Sequence, residues 1–229
     1  MNHQLAPNIV QFTCLRPLPE KLSEFMPLWN ARMKFEELES AAVERVFAAA
    51  RKSSEGAHAR ACSKLEEIRA RIAELSAWMR PLQFPAWDRV EENVVTNLGR
   101  NDILDKYWRG SAYTQTVVMG LAGTGTKAAA DTQASHAGWL EVGLANAPTY
   151  SGNRKAVTMG AAASQSSVSP QQSYSITSTG TVSGMFMNNG GSATKDDTTG
   201  TLVSAVNFTL GDAAVNNLDT LLVTYTFNG

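Results

Sequence analysis

Asp131 and Glu141 come nearest to a hydrolytic pair in this sequence, because both lie close to Trp139. A polysaccharide hydrolase needs two carboxylates that converge on one cleft, with the pKa of one raised by an apolar setting. Most of the ten acidic residues from Glu91 onward, however, stand in a short helical segment or beside Gly, Asn and Thr. Carboxylates in such turns commonly cap backbone donors. We therefore expect that the protein is not an enzyme and has no catalytic residues.

A glycine-rich segment, residues 120–127 (GLAGTGTK), superficially resembles a phosphate-binding loop. It lacks the spacing G-x-x-x-x-G-K-[ST], and Lys127 is followed by Ala128 where that motif has a hydroxyl residue. The pattern instead predicts a loop in which the glycines permit tight turns.

Asp131, Ser135 and His136 include the three residue types of a nucleophilic triad, but such a triad depends on a spatial arrangement that local spacing does not show. Ser135 also lies outside a G-x-S-x-G context, so we expect hydrogen bonding within a loop. Asp196 and Asp197 could bind a cation. A polar turn is the favoured interpretation, because calcium needs more oxygen ligands than this segment offers.

Composition argues against several classes of partner. Cys14 and Cys62 cannot by themselves make a disulfide scaffold or a four-ligand zinc site, and we expect no metal or other cofactor. The formal net charge of −1 gives no general attraction to nucleic acid or acidic membranes. The sequence contains no apolar run long enough for a membrane span, and its first residues lack the features of a signal peptide. We expect neither nucleic acid nor membrane as a partner, and a protein made in a cytoplasm and not secreted.

The two parts of the chain differ in composition. Of the first 90 residues, 24 are charged, against 17 of the remaining 139, and only one of the 17 glycines precedes residue 91. The first part is rich in helix formers, and the second is rich in Thr, Ser, Val, Gly and Asn, which favour strands and turns. The sequence predicts an α+β protein with an extended arm over 1–20, a helical α-hairpin anchor over 21–80, a linker over 81–92 and a β domain over 93–229.

The predicted second helix, which follows a break at residues 53–56, carries an apolar stripe with steps of three and four residues. Such an a/d pattern over two heptads fits a hairpin that packs on itself, and it also fits an oligomer seam or a docking helix. The arm is apolar enough to lie on another surface. The candidate interaction residues are therefore Phe12 in the arm and, in the stripe, Leu65, Ile68, Ile72, Leu75 and Met79.

The second part begins with a short helix after Asn97 and continues as short apolar runs between turn residues. Seven or eight strands in this length favour an antiparallel β-sandwich or a jelly-roll-like domain. The clearest strand candidates are 113–121, 138–142, 156–161, 173–177, 181–187, 201–208 and 221–227.

Three segments of this part carry a resemblance. They are V-V-T-N-L-G at 94–99 before the short helix, A-A-D-T-Q-A-S-H-A-G-W at 129–139, and G-D at 211–212 with D-T-L-L-V-T-Y at 219–225. Together they resemble a group of tailed-bacteriophage virion proteins over about residues 91–229. The group comprises capsid decoration (cement) proteins and, less clearly, head-fibre or tail-fibre components. The helical first 90 residues are not part of that pattern.

The resemblance implies a structural virion protein that binds the outer capsid surface and stabilises the particle. The β domain would then face outward, and the arm and helices would attach to the major capsid protein, to other virion proteins or to a second copy in a homo-oligomer. The expected location is the virion. The alternative is a head-fibre or tail-fibre component that binds a host receptor, and less favoured alternatives are a carbohydrate-binding module and a polysaccharide hydrolase.

Overall fold

The computed structural model describes residues 9–51, 55–107, 109, 110, 112 and 116–228. The helices are α1 (Leu22–Arg51), α2 (Glu55–Met79) and α3 (Asn97–Tyr107). The strands are β1 (Ile9–Pro17), β2 (Gln83–Val95), β3 (Val117–Gly125), β4 (Trp139–Val142), β5 (Lys155–Val157), β6 (Ser166–Val168), β7 (Gln172–Ser175), β8 (Gly180–Val182), β9 (Gly184–Asn189), β10 (Thr201–Val206), β11 (Ala213–Val215) and β12 (Thr220–Asn228).

Ten of these strands form one antiparallel sheet in the order β4-β3-β9-β10-β2-β1-β12-β6, in which β5 also pairs with β3 and β7 with β12. The sheet is not closed, and β8 and β11 pair separately. The predicted α+β class with an antiparallel sheet is therefore confirmed. The predicted break at 53–56 falls partly on residues outside the described part of the chain, as do residues 113–115 of the first strand candidate.

The long strand β2 connects the two parts of the sheet. Its residues up to Glu92 pair with β1, whereas Asn93–Val95 pair with β10. Alternate residues of β1 and β12, such as Phe12 and Tyr225, enter the same core as Met119 and Met187 from β3 and β9. The sheet therefore wraps around a single main core, and the alternation of apolar residues in its strands is what fills that core.

The arm predicted for residues 1–20 is not an arm where the structure describes it. Residues 9–17 form strand β1 between β2 and β12, and residues 1–8 lie outside the described part. Phe12 has no exposed surface and packs edge-on against Phe208, with ring centroids 4.6 Å apart. The physical reason is the alternation of apolar residues in this segment, which buries one face of the strand, while its proline falls at the last position.

The predicted linker over 81–92 is also a strand for most of its length, because β2 begins at Gln83. The strand includes Pro85, a residue that cannot donate to the ladder of backbone hydrogen bonds. Pro85 is tolerated because it lies where the register with β1 shifts between Cys14 and Leu15, so the ladder of backbone hydrogen bonds is already interrupted there. The β region therefore begins at β1, well before residue 93.

The helical hairpin of α1 and α2 is an insertion between two neighbouring strands. The last residue of β1, Pro17, is the register partner of Gln83 at the start of β2. Just beyond them, the backbone N–H of Leu18 donates to the carbonyl oxygen of Leu82 at 2.9 Å. The chain thus leaves the sheet and returns to it at nearly the same point.

Two apolar clusters and one polar contact hold the hairpin on the sheet. One cluster joins Val43 and Ile68 to Val118 of β3, and another joins Phe25 and Met79 near the ends of the helices. Between the clusters, a buried ion pair from α1 reaches β7. The guanidinium of Arg32 donates to Glu36 at 3.0 Å and to the hydroxyl of Ser173, and the hydroxyl of Ser175 donates to Glu36 at 2.5 Å.

The predicted apolar stripe of the second helix lies mostly inside the chain. Leu65, Ile68, Leu75 and Met79 are buried and Ile72 is half-buried. The stripe packs on α1 and, at its N-terminal end, on the sheet. Phe12 and the four buried residues of the stripe are thus mostly covered by the chain itself, and Ile72 keeps part of its surface accessible.

Truncating a side chain of the stripe is expected to lower the free energy of unfolding, and the loss should be larger where the side chain is more deeply buried. Ile68→Val should lower the free energy of unfolding by about 0.5–1.5 kcal/mol, because it removes a methylene from a packed cluster. Ile72→Val is the matched control and should cost less, since Ile72 is only half-buried. Urea unfolding of both variants measures the difference, and equal losses would contradict the packing described for α2.

Candidate functional site

The face of the hairpin turned away from the sheet carries a groove of about 610 Å³, which we call the outer groove. All of its lining residues belong to α1 and α2, so the sheet takes no part in it. Apolar side chains of both helices form its floor, and charged side chains form its rim. The lining residues are Phe35, Leu38, Ala41, Ala42, Arg45, Arg60, Ala61, Lys64, Glu67, Ile68, Ala70, Arg71 and Glu74.

The rim of the outer groove has an excess of positive charge. Of its four cationic side chains, two are paired along α2, Lys64 with Glu67 at 2.8 Å and Arg71 with Glu74. The other two, Arg45 and Arg60, have no carboxylate within salt-bridge distance among the side chains that the structure describes. The groove is thus apolar at its floor and net positive at its rim.

Leu38 and Trp78 are the most exposed of the large apolar side chains that the structure describes in the hairpin. Leu38, in the outer groove, and Trp78, near the end of α2, each expose 52% of their surface. The guanidinium of Arg71 lies 5.6 Å from the centroid of the Trp78 ring, which connects Trp78 to the rim. Exposed Trp and Arg beside an apolar depression are the residue types that contribute most to protein–protein binding.

The predicted candidate Glu141 is held in a buried ion pair. Its two carboxylate oxygens accept from the guanidinium of Arg154 at 2.9 and 2.5 Å, and the backbone N–H of Asp196 donates to it at 2.9 Å. Arg154 also donates to the carbonyl oxygen of Asp197 at 2.7 Å. The pair therefore ties β4 to the loops that precede β5 and β10.

The other candidate, Asp131, serves as a turn cap. One of its oxygens accepts from the indole N–H of Trp139 and from the backbone N–H of Ala128, both at 2.8 Å. Neither Asp131 nor Glu141 lines the outer groove or the larger cleft between the hairpin and the sheet. The sequence brings the two carboxylates close to Trp139, but the structure gives each of them a separate structural contact.

The glycine-rich segment is a strand and not the predicted loop, since residues 117–125 form β3. Gly120 is needed because a Cβ there would lie 2.4 Å from the ring of Phe186. Lys127 is buried, and its ammonium donates to the carbonyl oxygens of Gly123 and Gly125 at 2.9 and 3.3 Å. Burial lowers its pKa to about 8. This lysine holds the end of a strand and does not face a phosphate cradle.

His136 stacks on Trp139 with ring centroids 4.0 Å apart, and its Nδ1 lies 3.0 Å from the carbonyl oxygen of Trp139. The backbone N–H of Ser135 donates to the hydroxyl of Thr132 at 2.9 Å. Asp131, Ser135 and His136 therefore make contacts within a loop, as expected from the sequence. No hydrogen bond joins His136 to Ser135 among the described contacts.

Asp197 accepts a hydrogen bond within a turn, whereas Asp196 bonds to the loop that follows β4. Asp196 has a φ of 61° and accepts from the backbone N–H of Ala145 at 3.3 Å. Asp197 accepts from the backbone N–H of Thr199 at 2.9 Å, and hydrogen bonds from Thr199 lower its pKa. Within the described residues, no group of three or more His, Cys, Asp and Glu side chains is placed to hold a metal ion.

The outer groove could not be predicted from the sequence, because it is formed by two helices that are paired in the fold. The pairing of α2 against α1 is what places Arg45 beside Arg60, and no local spacing relates these two residues. None of the described helices is long and apolar enough to cross a membrane. In comparisons with known proteins, no family model, no curated protein and no solved structure matches this chain.

Proposed function

We propose that this protein is a non-enzymatic structural component of a tailed-bacteriophage particle, which binds the outer capsid surface through its helical hairpin and stabilises the particle. The observation that carries the proposal is the outer groove, where the exposed Leu38 lines the same depression as Arg45 and Arg60. Neither arginine has a carboxylate within salt-bridge distance among the described side chains, and the exposed Trp78 lies beside Arg71 of the rim. The resemblance of residues 91–229 to capsid decoration proteins supports the same role.

The chemistry of the outer groove defines its partner. An apolar floor takes up apolar side chains from water, and the positive rim favours a partner segment flanked by carboxylates. The proposed occupant is therefore an apolar segment of the major capsid protein with acidic neighbours. Contacts made only in the assembled particle stabilise it by mass action, as for any ligand that binds the native state alone.

The β region would form the outward body of the attached protein. Its sheet surrounds one core from two sides, which is compatible with the sandwich or jelly-roll-like arrangement that we propose for it. We also propose that copies associate as a homo-oligomer at symmetry points of the capsid. Since the hairpin is inserted between β1 and β2, the attachment region is joined to the body at two neighbouring strands of its sheet.

Docking through the outer groove is tested by co-sedimentation of the purified protein with particles of the phage that encodes it. Leu38→Asp should weaken binding at least about tenfold, because it puts a charge on the apolar floor. Leu104→Asp on α3 is the matched control, since Leu104 is also 52% exposed. It should bind like the unmodified protein.

A charge reversal tests the positive rim separately. The double variant Arg45→Glu/Arg60→Glu should also weaken binding, and the loss should be largest at low ionic strength. Arg100→Glu on α3 is its control, because Arg100 is exposed and remote in sequence from the hairpin. Full occupancy of the particles by Leu38→Asp and by the double variant would contradict the proposal. Binding to host cells in place of particles would favour the fibre alternative.

A further inference from the structure

A second cleft separates the hairpin from the sheet, on the side opposite the outer groove, and we call it the inner cleft. Its volume is about 680 Å³, which is in the range of pockets for small molecules. Residues of α1 and α2 form one wall, and residues of β5, β7 and β12 contribute to the other. Ser173 and Thr220 place polar groups on the sheet side of the cleft. A cleft lined by polar groups is favourable for water or for a polar ligand.

Two ion pairs line the inner cleft, and in each of them one guanidinium faces one carboxylate. Arg32 pairs with Glu36 at 3.0 Å, and Arg69 pairs with Glu39 at 2.9 Å. Both carboxylates that line the cleft therefore already have a guanidinium partner. They leave no negative charge to balance any further cation.

Two further cations, Lys155 and Arg80, also line the inner cleft. Lys155 is only 8% exposed, and its ammonium lies 5.6 Å from the centroid of the Tyr174 ring. No carboxylate lies within 4.0 Å of either cation among the side chains that the structure describes. A buried charge without a counter-charge is costly, so an anion bound here would be favoured.

The neutral lining of the inner cleft suits a ligand that carries hydroxyl groups. Thr158, Gln171 and Gln172 contribute a hydroxyl and two carboxamides, each of which can both donate and accept hydrogen bonds. Hydroxyl groups have the same dual character. Leu222 and Ile72 add apolar surface, against which the C–H face of a ring can pack.

We propose that the inner cleft binds a small hydroxylated anion of the class of the acidic sugars, with its carboxylate facing Lys155 and its hydroxyl groups facing the threonine and glutamine side chains. The proposal does not rest on capsid docking, because the inner cleft and the outer groove lie on opposite faces of the hairpin.

The test is a titration of the full chain with D-glucuronate, followed by isothermal calorimetry and by the backbone amide signals of the nitrogen-15 labelled protein. We expect millimolar binding and shifts at Lys155 and Gln172. Glucose lacks the charge and acetate lacks the hydroxyl groups, so each should bind at least about tenfold more weakly. Equal affinity for glucose or for acetate would overturn the proposal, as would the absence of glucuronate binding.

Two variants locate the binding to the inner cleft. Lys155→Met should lower the affinity for glucuronate at least about tenfold. Arg80→Gln should lower it less, and it provides a readout even if Lys155→Met does not fold, because Arg80 is exposed. Lys64→Met in the outer groove is the control and should bind normally. Unchanged affinity in Arg80→Gln and in a folded Lys155→Met would overturn the proposal.

Discussion

Deleting residues 1–90 is expected to unfold the entire chain, although this segment is the one that the sequence marks as a separate anchor. The deletion removes β1 and most of β2, which are interior strands of the sheet. It also removes Val10, Phe12 and Cys14, which are fully buried in the main core. Loss of these side chains, at about 2–5 kcal/mol each for the larger ones, is comparable with the whole ~5–15 kcal/mol by which a typical domain is stable, and the backbone pairing of two interior strands is lost as well.

Replacing residues 19–81 with a short turn is the matched control, and it is expected to leave the sheet folded. The ends of this segment already meet, since the N–H of Leu18 donates to the carbonyl oxygen of Leu82. The replacement converts β1 and β2 into an ordinary antiparallel hairpin. Circular dichroism and urea unfolding should show a cooperative β protein for the replacement and an unfolded chain for the deletion. A cooperatively folded deletion variant would refute the interior position of β1.

The replacement variant also separates the two functions proposed for the hairpin from the stability of the body. It removes the outer groove and one wall of the inner cleft together, so particle binding and glucuronate binding should both be lost. The point variants then assign each loss to one face. Particle binding should respond to Leu38→Asp, whereas glucuronate binding should respond to Lys155→Met.

Arg154→Met is expected to lower the free energy of unfolding by about 3–5 kcal/mol, because it leaves the carboxylate of Glu141 buried without its partner. The guanidinium of Arg154 has no exposed surface and also donates to the carbonyl oxygens of Ser192 and Asp197. Those two carbonyl oxygens would lose a donor as well. Urea unfolding measures the loss.

Two further variants identify the cause of that loss. Arg100→Met removes an exposed arginine on α3 and should change stability by less than about 0.5 kcal/mol. The double variant Arg154→Met/Glu141→Leu should recover part of the loss, since an apolar pair does not leave a buried charge. If Arg154→Met is as stable as Arg100→Met, the ion pair does not hold β4 to the loops that follow it.

Glu141 and Asp131 are the two carboxylates that a hydrolytic function of this protein would require. Glu141 would need to be available to a substrate, but its oxygens accept from Arg154 and from the backbone of Asp196. Asp131 is similarly engaged with Trp139. These contacts favour a structural role for both residues, in line with the proposed non-enzymatic function.

Local pattern in the sequence was sufficient for several of the elements, although it predicted an arm and a linker where strands β1 and β2 lie. Steps of three and four residues between apolar positions predicted α2, and short apolar runs between turn residues predicted strands such as β7 and β12. The helix after Asn97 also agrees, since α3 spans Asn97–Tyr107. These features depend on which face of one element is apolar. Each can therefore be predicted from a short run of consecutive residues.

Only the tertiary structure decided which elements meet. A composition boundary near residue 90 suggested an anchor followed by a body, yet Phe12 of β1 packs against Phe208, almost two hundred residues later in the chain. The same holds for the sites, since Arg45 and Arg60 belong to different helices, and Lys155 faces α1 and α2 from a strand far along the chain. Strand order and cleft lining depend on contacts between distant segments. Because no periodicity within one segment encodes its distant neighbours, the sequence determined those elements that have a clear periodicity, and the fold determined the strand order and the surfaces that the elements form.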